Sequence, residues 1–299
     1  YAGGPNGAYD QSSIGNVQTN GNSNVSFDKV RYTTTLFSDN FRVFVGPRID
    51  AFEIIDTNSF ANNEEVDFSN GSLINNPLIT FIFAGPGTGF DWKIADAFSF
   101  RGLYIANQGG NSFGFGTGGL TGSNSIGALE LEVRPSQTSK IKLQYGAYTT
   151  QTTYLVNGTN FVGTPTKSNV YGVNAEWAIT PQIGVFGRYG AGTATTGFLN
   201  LGAGNLQGPT NDFNLTYWSA GFSFPDLFAP GNTLGIAVGQ PPRATNIASG
   251  TETDYELYYN LKVNDRITLT PDIQIISQPN NIAGNPTITV ATLRLVFTF

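Results

Sequence analysis

Apolar and polar residues alternate along most of this chain, and the pattern is clearest in its final segment, ITVATLRLVFTF. Successive side chains of an extended strand point to opposite faces. One face of this strand is apolar and comprises Ala291, Leu293, Leu295, Phe297 and Phe299. The other face is polar and includes Thr292, Arg294 and Thr298. An apolar outer face, a polar inner face and an aromatic tip are typical of a transmembrane β-barrel strand.

The same period of two recurs in about thirteen segments that are separated by turn-rich stretches. The predicted strands cover residues 25–37, 40–52, 79–94, 97–106, 126–134, 139–150, 169–179, 182–192, 214–224, 232–239, 253–263, 266–277 and 288–299. No useful length of the chain has a helical period. The sequence therefore predicts an all-β protein, a transmembrane antiparallel β-barrel.

The connectors between these strands alternate in length. Short connectors lie near residues 38–40, 95–97, 135–139, 180–182, 226–232 and 264–266. Long connectors lie near residues 53–77, 107–125, 152–168, 193–212, 240–252 and 279–286. Short periplasmic turns on one side and longer external loops on the other are typical of outer-membrane barrels. A soluble sandwich has no reason to sort its loops by side, so the pattern indicates a bacterial outer-membrane location.

Composition and charge exclude several other classes of protein. Charged residues make up 12% of the chain, against about a quarter in a soluble domain, and no segment approaches the roughly 18 apolar residues of a membrane helix. The net charge of −6 argues against nucleic acid as a partner, because phosphate contacts need clustered Lys and Arg. Cys, Met and His are absent. We therefore expect no disulfide, no cofactor or metal, and no Ser-His-Asp enzyme.

The direction of the strands bears on the first part of the chain. With Phe299 at the periplasmic side, the strand that begins near Val25 descends from outside, so residues 1–24 are expected to be an external loop. Residues 25–299 then form the pore domain. Because single-chain bacterial barrels have even strand counts, about thirteen strands imply that an odd number precedes residue 1. Three further strands would give about sixteen, the size that leaves an aqueous channel, and one would give about fourteen.

Three runs resemble the carbohydrate-selective porin family. They are FRVFVGPRIDAF at residues 41–52, INNPLITFIFAGPGTGFDWKIADAFSFRGLYIA at 74–106 and IGALELEVRPSQTSKIKLQYGAY at 126–148. In particular, the chain resembles the cyanobacterial outer-membrane porins whose precursors carry an N-terminal surface-layer-homology domain, and we expect that domain to precede residue 1. The terminal Phe also resembles the C-terminal signal for outer-membrane insertion.

The resemblance implies passive diffusion of small polar solutes, namely sugars or inorganic ions such as iron salts, through a water-filled lumen. It also implies contact with outer-membrane lipid, a homotrimeric assembly, and attachment to peptidoglycan or the cell wall through that N-terminal domain. The alternative function is that of a structural or adhesive barrel whose lumen is plugged and whose loops bind partners.

Charged residues fall consistently on the strand face opposite to the apolar one. A charge on the lipid face would cost about 2–4 kcal/mol at the bilayer midplane, so this placement supports a polar lumen. Neighbouring strands supply a basic cluster of Arg31, Arg42, Arg48 and Arg101. The long connector 53–77 has no Lys or Arg and holds Glu53, Asp56, Glu64, Glu65 and Asp67.

These two groups predict a charged eyelet. Under the sixteen-strand count, connector 53–77 is the third external loop, which commonly folds inward in general porins. An acidic loop facing a basic wall would create a transverse field that selects solutes by charge and dipole. The alternative is that the acids keep an external loop soluble or bind divalent ions at the surface.

Other motifs do not support chemistry. The run GPGTG at residues 85–89 resembles a phosphate-binding loop, but no helix and no Lys-Ser/Thr pair follow it, so it is expected to be strand glycine. Glu130 and Glu132 lie two residues apart, a spacing compatible with paired carboxylates in glycoside hydrolysis. Nothing else in the sequence marks them as catalytic.

Overall fold

The computed structural model describes residues 31–80, 84–107, 109–110, 119–122, 124–150, 154–156, 159–161, 166–196 and 211–298. Its strands are β1 Tyr32–Leu36, β2 Ser38–Asp50, β3 Ala84–Ala95, β4 Phe98–Ala106, β5 Ser125–Ser136, β6 Ser139–Thr150, β7 Tyr154–Val156, β8 Thr159–Phe161, β9 Thr166–Thr180, β10 Ile183–Thr196, β11 Asn211–Pro225, β12 Thr233–Ala244, β13 Thr253–Asn264, β14 Ile267–Ser277 and β15 Ile288–Phe297. Its short helices are α1 Gly71–Ile74 and α2 Gly119–Gly122, with 3-10 turns at Ala51–Glu53 and Pro279–Asn281.

Thirteen strands of the described chain form one antiparallel sheet in chain order, from β1 to β6 and from β9 to β15. The strands β7 and β8 pair separately as a hairpin between β6 and β9. Each of the thirteen corresponds to a strand predicted from the alternation, so the all-β antiparallel prediction is confirmed. Residues 1–24 and 25–30, which carry the predicted external loop and the start of the first strand, lie outside the described residues.

The predicted sorting of connectors by length is also confirmed for the connectors that the structure describes. Because consecutive strands of the sheet are antiparallel neighbours, their connectors fall alternately at the two rims. The short turns share the rim where β15 ends, and Thr298 N donates there to Arg266 O in the β13–β14 turn over 2.9 Å. The described connectors between β12 and β13 and between β14 and β15 lie at the opposite rim, where β2 also ends.

The sheet exposes its apolar face and buries its polar one. On the outer face large side chains stay exposed, as with Tyr171, Trp177 and Leu293, the last with 66% of its surface accessible. On the inner face Glu130, Asn174 and Gln274 are buried. This is the reverse of a soluble sheet, and it suits an outer face in lipid and an inner face towards a lumen.

In the described part of the chain, no helix is both long enough and apolar enough to cross a membrane.

Residues 51–80, which we call the inward loop, pack against the inner face of the sheet. Ile55, Leu78 and Ile79 join an apolar cluster with inner-face residues such as Ile126 and Leu215. Phe68, Leu73 and Ile74 join a second cluster with Phe186, Ala237 and Tyr258. The segment predicted as the third external loop therefore has its own small core against the wall.

Glycine on the inner face makes this close approach possible. A Cβ atom at Gly172 would come within 2.8 Å of Ile79 Cγ1, and one at Gly190 within 2.8 Å of the Asn76 amide. Real side chains do not tolerate such contacts without movement. The glycines of the GPGTG run serve similar close packing within the sheet, since a Cβ atom at Gly87 would lie 2.6 Å from Tyr104 O. That run lies in β3, as the sequence predicts.

Candidate functional site in the lumen

Charges of alternating sign cross the inner face of four neighbouring strands at one level. Arg42, Asp91, Arg101 and Glu130 are direct register partners from β2 to β5. Arg42 donates to Asp91, Arg101 Nε lies 3.3 Å from Asp91 Oδ1, and Arg101 Nη1 lies 2.8 Å from Glu130 Oε1. We call these four residues the charge belt. Each arginine of the belt thus has a carboxylate partner on an adjacent strand.

Glu132 extends this network towards the short-turn rim. It accepts from Arg101 Nη1 over 3.0 Å and from Arg134 Nε over 2.6 Å. Lys142 Nζ lies 3.7 Å from the same carboxylate. Glu130 and Glu132 are therefore both ion-paired wall residues, and their arrangement gives them no free acid and base roles.

The inward loop leaves β2 through a first limb, residues 51–63, and returns towards β3 through a second limb, residues 68–80. The first limb is held at Asp56. Its carboxylate is fully buried and lies 3.1 Å from Arg188 Nε. It also accepts from Gln144 Nε2 over 3.0 Å, from Asn174 Nδ2 over 2.8 Å and from the backbone N–H of Asn76 over 2.6 Å. Asp56 therefore joins the wall to both limbs of the loop.

Carboxylates of the wall also accept backbone N–H groups of the loop. Glu130 accepts from Asp56 N over 2.7 Å, and Glu176 accepts from Ser59 N over 2.6 Å. Glu256 accepts from Ser69 N over 2.5 Å and from Asn70 N over 2.9 Å. These side chains satisfy donors that a loop without sheet partners would otherwise leave unpaired.

Cations of the wall meet loop carbonyl groups in the complementary way. Arg188 donates to Ala61 O over 2.6 Å and to Leu73 O over 3.1 Å. Arg294 donates to Asp67 O over 2.7 Å and also to Glu64 O. Lys142 donates to Thr57 O. The loop is thus fixed from β5 to β15 by charged side chains that bond its backbone.

The predicted eyelet residues occupy different environments. Arg31 Nη1 lies 3.5 Å from Glu53 Oε2, which brings together one residue of the basic cluster and one of the acidic loop. Arg42 and Arg101 pair with carboxylates of the wall instead, and Asp56 pairs with Arg188. Arg188 carried no signal of its own in the sequence beyond its inward parity.

Arg48 departs from the simple alternation on which its inward placement rested. A register shift between Gly46 and Ile49 inserts an extra residue into β2. Such a bulge reverses the facing of the residues that follow it, so Ile49 is buried on the inner face. Arg48 lies within the bulge, with its Nε 3.8 Å from Asp50 Oδ1.

Two acids of the inward loop have shifted pKa values. Burial raises the pKa of the Glu64 carboxyl, and the neighbouring Glu65 charge raises it further. Burial also raises the pKa of Asp67, although hydrogen bonds from the backbone of Asn62 and Asn63 oppose the shift. Partial desolvation thus reduces the tendency of this part of the loop to carry negative charge.

The acids of the described chain form no metal centre, since no group of three or more Asp or Glu residues in that part of the molecule is placed to hold an ion.

The sequence matches a family model over nearly its whole length. The carbohydrate-selective porin, OprB family, matches residues 6–299. The chain belongs to this family. The predicted resemblance is confirmed, and membership places the porin in a bacterial outer membrane.

Two cyanobacterial relatives share part of the porin sequence. An uncharacterized Synechocystis protein is 33% identical over 149 residues, which cover 45% of this chain and 27% of that protein. An uncharacterized Nostoc protein is 29% identical over 150 residues, which cover 49% of this chain and 24% of that protein. The matched region thus spans about a quarter of the length of these curated relatives.

Solved structures confirm the fold at low sequence identity. Pseudomonas putida OprB is 16% identical, with a TM-score of 0.64, and the match covers 90% of this chain and 72% of that one. OmpT of Vibrio cholerae is 9% identical, with a TM-score of 0.54, and the match covers 86% and 75%. The outer membrane channel DcaP of Acinetobacter baumannii gives a TM-score of 0.51 at 9% identity, covering 90% and 83%.

Proposed function

We propose that the porin forms a water-filled channel through which small polar solutes diffuse passively down their gradients. The observation that carries this proposal is the unequal use of the inner wall. The hydrogen bonds between residues 56–78 and the wall go to strands from β5 to β15. On β2 and β3, the inner-face side chains of Arg42 and Lys93 are 58% and 51% exposed. A hydrated path then runs between the inward loop and the first strands.

The proposed constriction has a basic and an acidic side. Arg31, Arg42 and Arg48 line the basic side, and Glu53, Glu64 and Glu65 line the acidic side. The two sides meet at the ion pair of Arg31 with Glu53. Arg101, Asp56 and Asp67 belong to the same constriction and hold its two sides in place through their buried contacts. Opposite charges across a narrow aqueous gap create a field that favours polar and charged solutes. Sugars and inorganic ions, including iron salts, are the proposed solutes.

A plugged structural or adhesive barrel is the second candidate. The observation that favours it is the extent of the inward loop, whose contacts reach Arg294 on β15 from an origin at the end of β2. If the loop fills the lumen, the charged wall residues serve only to fix it, and the external loops carry the function.

Planar bilayer recording separates the two candidates. Discrete ohmic current steps after insertion of the refolded chain support the channel, whereas an inserted barrel without current supports the plugged alternative. Swelling of liposomes in isosmotic sugars of increasing size then measures whether sugars pass and where the size limit lies. Swelling with ions but not with any sugar would restrict the proposal to inorganic solutes.

For assembly, we propose a homotrimer surrounded by outer-membrane lipid, with a link to peptidoglycan or the cell wall through an N-terminal domain of the longer protein. A structure of Vibrio cholerae OmpT, with a TM-score of 0.55 at 9% identity, is described as a trimer form. Light scattering of the detergent-solubilised chain, corrected for bound detergent, measures the subunit number. A monomeric mass at all concentrations would contradict the trimer.

A further inference from the structure

Arg188 lies on β10 at the point where the two limbs of the inward loop converge. Its side chain has no accessible surface, and its Nε lies 3.1 Å from Asp56 Oδ2. Its Nη2 donates to Ala61 O in the first limb, and its Nη1 donates to Leu73 O in the second limb. One guanidinium group thus ties both limbs to the same point of the wall.

We infer that Arg188 is the positioning residue of the channel constriction, a role that rests on the proposed channel function. Arg188 does not line the solute path, because it is buried beneath the loop. It acts through the loop by fixing how far residues 56–73 stand out from β10. The position of these residues in turn sets the free width between the loop and the exposed side chains of Arg42 on β2 and Lys93 on β3.

The chemistry of the site requires arginine in particular. Two nitrogen atoms of the planar group donate to carbonyl oxygens of different limbs, Nη2 to Ala61 O and Nη1 to Leu73 O, while Nε lies within ion-pair distance of the Asp56 carboxylate. The guanidinium carbon also lies 5.8 Å from the Phe186 ring centroid, which supports the plane from one side. A lysine ammonium is a compact charge that cannot span the same acceptors.

Other wall cations bind the loop less completely. Lys142 reaches Thr57 in the first limb, with its Nζ 2.7 Å from Thr57 Oγ1. Arg294 reaches Glu64 and Asp67, near the tip. The described bonds of Arg188 join residues on both sides of the tip, residues 64–67, whereas the loop bonds of Lys142 lie before it and those of Arg294 lie within it. The loss of Arg188 should therefore free the loop more than the loss of either neighbour.

The test compares Arg188→Met and Arg188→Lys with the unmodified chain in planar bilayers. Heat-dependent gel mobility first establishes that each barrel has folded. We expect Arg188→Met to raise single-channel conductance by about 1.5-fold or more and to increase open-channel noise, because a displaced loop widens and destabilises the constriction. Arg188→Lys should give a smaller change of the same sign. Arg266→Met, the same change at an exposed turn, should conduct like the unmodified chain.

Conductance and noise equal to those of the unmodified chain in both folded Arg188 variants would overturn the inference. If Arg188→Met does not fold, the result for Arg188→Lys decides. A merely structural role in the barrel would lower thermal stability without changing the current through folded channels.

A second measurement is independent of channel activity. The chain has no cysteine, so spin labels can be placed through Glu65→Cys at the loop and Asp96→Cys at the β3–β4 turn. The unmodified background should give one narrow distance, Arg188→Met should broaden or shift it, and Arg266→Met should preserve it. An unchanged narrow distance in Arg188→Met would contradict the inference even if no variant conducts, whereas absence of current in the unmodified chain alone would contradict only the proposed function.

Discussion

At the scale of single residues, wall side chains replace the sheet partners that the inward loop lacks. A buried segment must pair its backbone N–H and C=O groups. Here Glu176 and Glu256 accept from N–H groups of the loop, and Arg188 and Arg294 donate to its carbonyl groups. Hydrogen bonds to charged groups contribute about 1.5–3 kcal/mol each, which helps to offset the loss of conformational freedom of the loop.

Asp67 provides a test of the balance between the burial of a charge and the hydrogen bonds that the charged group accepts. Its Oδ2 accepts from Asn62 N over 2.9 Å and from Asn63 N over 3.0 Å. Asp67→Asn retains an oxygen acceptor but removes the charge that burial disfavours, so we expect equal or slightly higher stability at pH 7. Asp67→Ala removes the acceptor and should lower the free energy of unfolding by about 1–3 kcal/mol. Denaturant titration in detergent measures both differences, and a loss with Asn as large as with Ala would contradict this account.

The same residue predicts a direction of pH dependence. Because burial raises the pKa of Asp67 above its ordinary value of 3.8, the folded state binds the proton more tightly than the unfolded state. The stabilisation from this group is complete below pH 3.8 and is lost as the pH rises through the raised pKa. Asp67→Asn should therefore gain stability relative to the unmodified chain as the pH rises. A difference between the two proteins that is constant from low to neutral pH would show that Asp67 does not contribute.

At the scale of elements, the strands could be predicted from the sequence because each has one lipid face and one lumen face. That requirement imposes a period of two over ten or more residues, as in β13 and β15. Two kinds of feature could not be predicted in this way. The bulge between Gly46 and Ile49 adds one residue without any distinctive composition. The contacts of the loop with the wall, such as that of Asp56 with Arg188, join residues that are distant in the chain, so periodicity gives no information about them.

Glycine placement on β10 allows the docking of the loop to be tested with a matched control. Gly190 faces the loop, where a Cβ atom would meet Asn76 at 2.8 Å, whereas at Gly187, on the outer face, the nearest atom would lie at 3.8 Å. Overpacking costs about 1–3 kcal/mol, so Gly190→Val should destabilise the folded barrel by this amount and alter its conductance. Gly187→Val should leave both nearly unchanged. Equal effects of the two substitutions in unfolding titrations would show that the loop does not press on this wall.

At the scale of the whole molecule, the inward loop makes the lumen asymmetric. From β5 onwards the wall holds the loop through Glu130, Glu176, Arg188, Glu256 and Arg294. Arg42 on β2 and Lys93 on β3 remain more than half exposed. The sequence could predict both the basic cluster and the acidic loop as sources of charge. It could not predict that Arg101 and Asp56 would be neutralised by other partners, because that depends on the register of distant strands. Selectivity should therefore depend on the exposed members of each group.

Measurements of ion selectivity test whether the charges on the first strands set the ion preference of the lumen. Arg42→Ser with Arg101→Ser removes both cations of the charge belt and leaves Asp91 and Glu130 without these partners. The lumen then carries more uncompensated negative charge, so we expect a wider opening and a shift of reversal potential towards cation preference. Lys262→Ser with Arg266→Ser removes the same charge near the short-turn rim and should shift the potential less. A reversal potential equal to that of the unmodified chain, in a variant shown to fold and conduct, would place the selectivity determinant away from the charge belt.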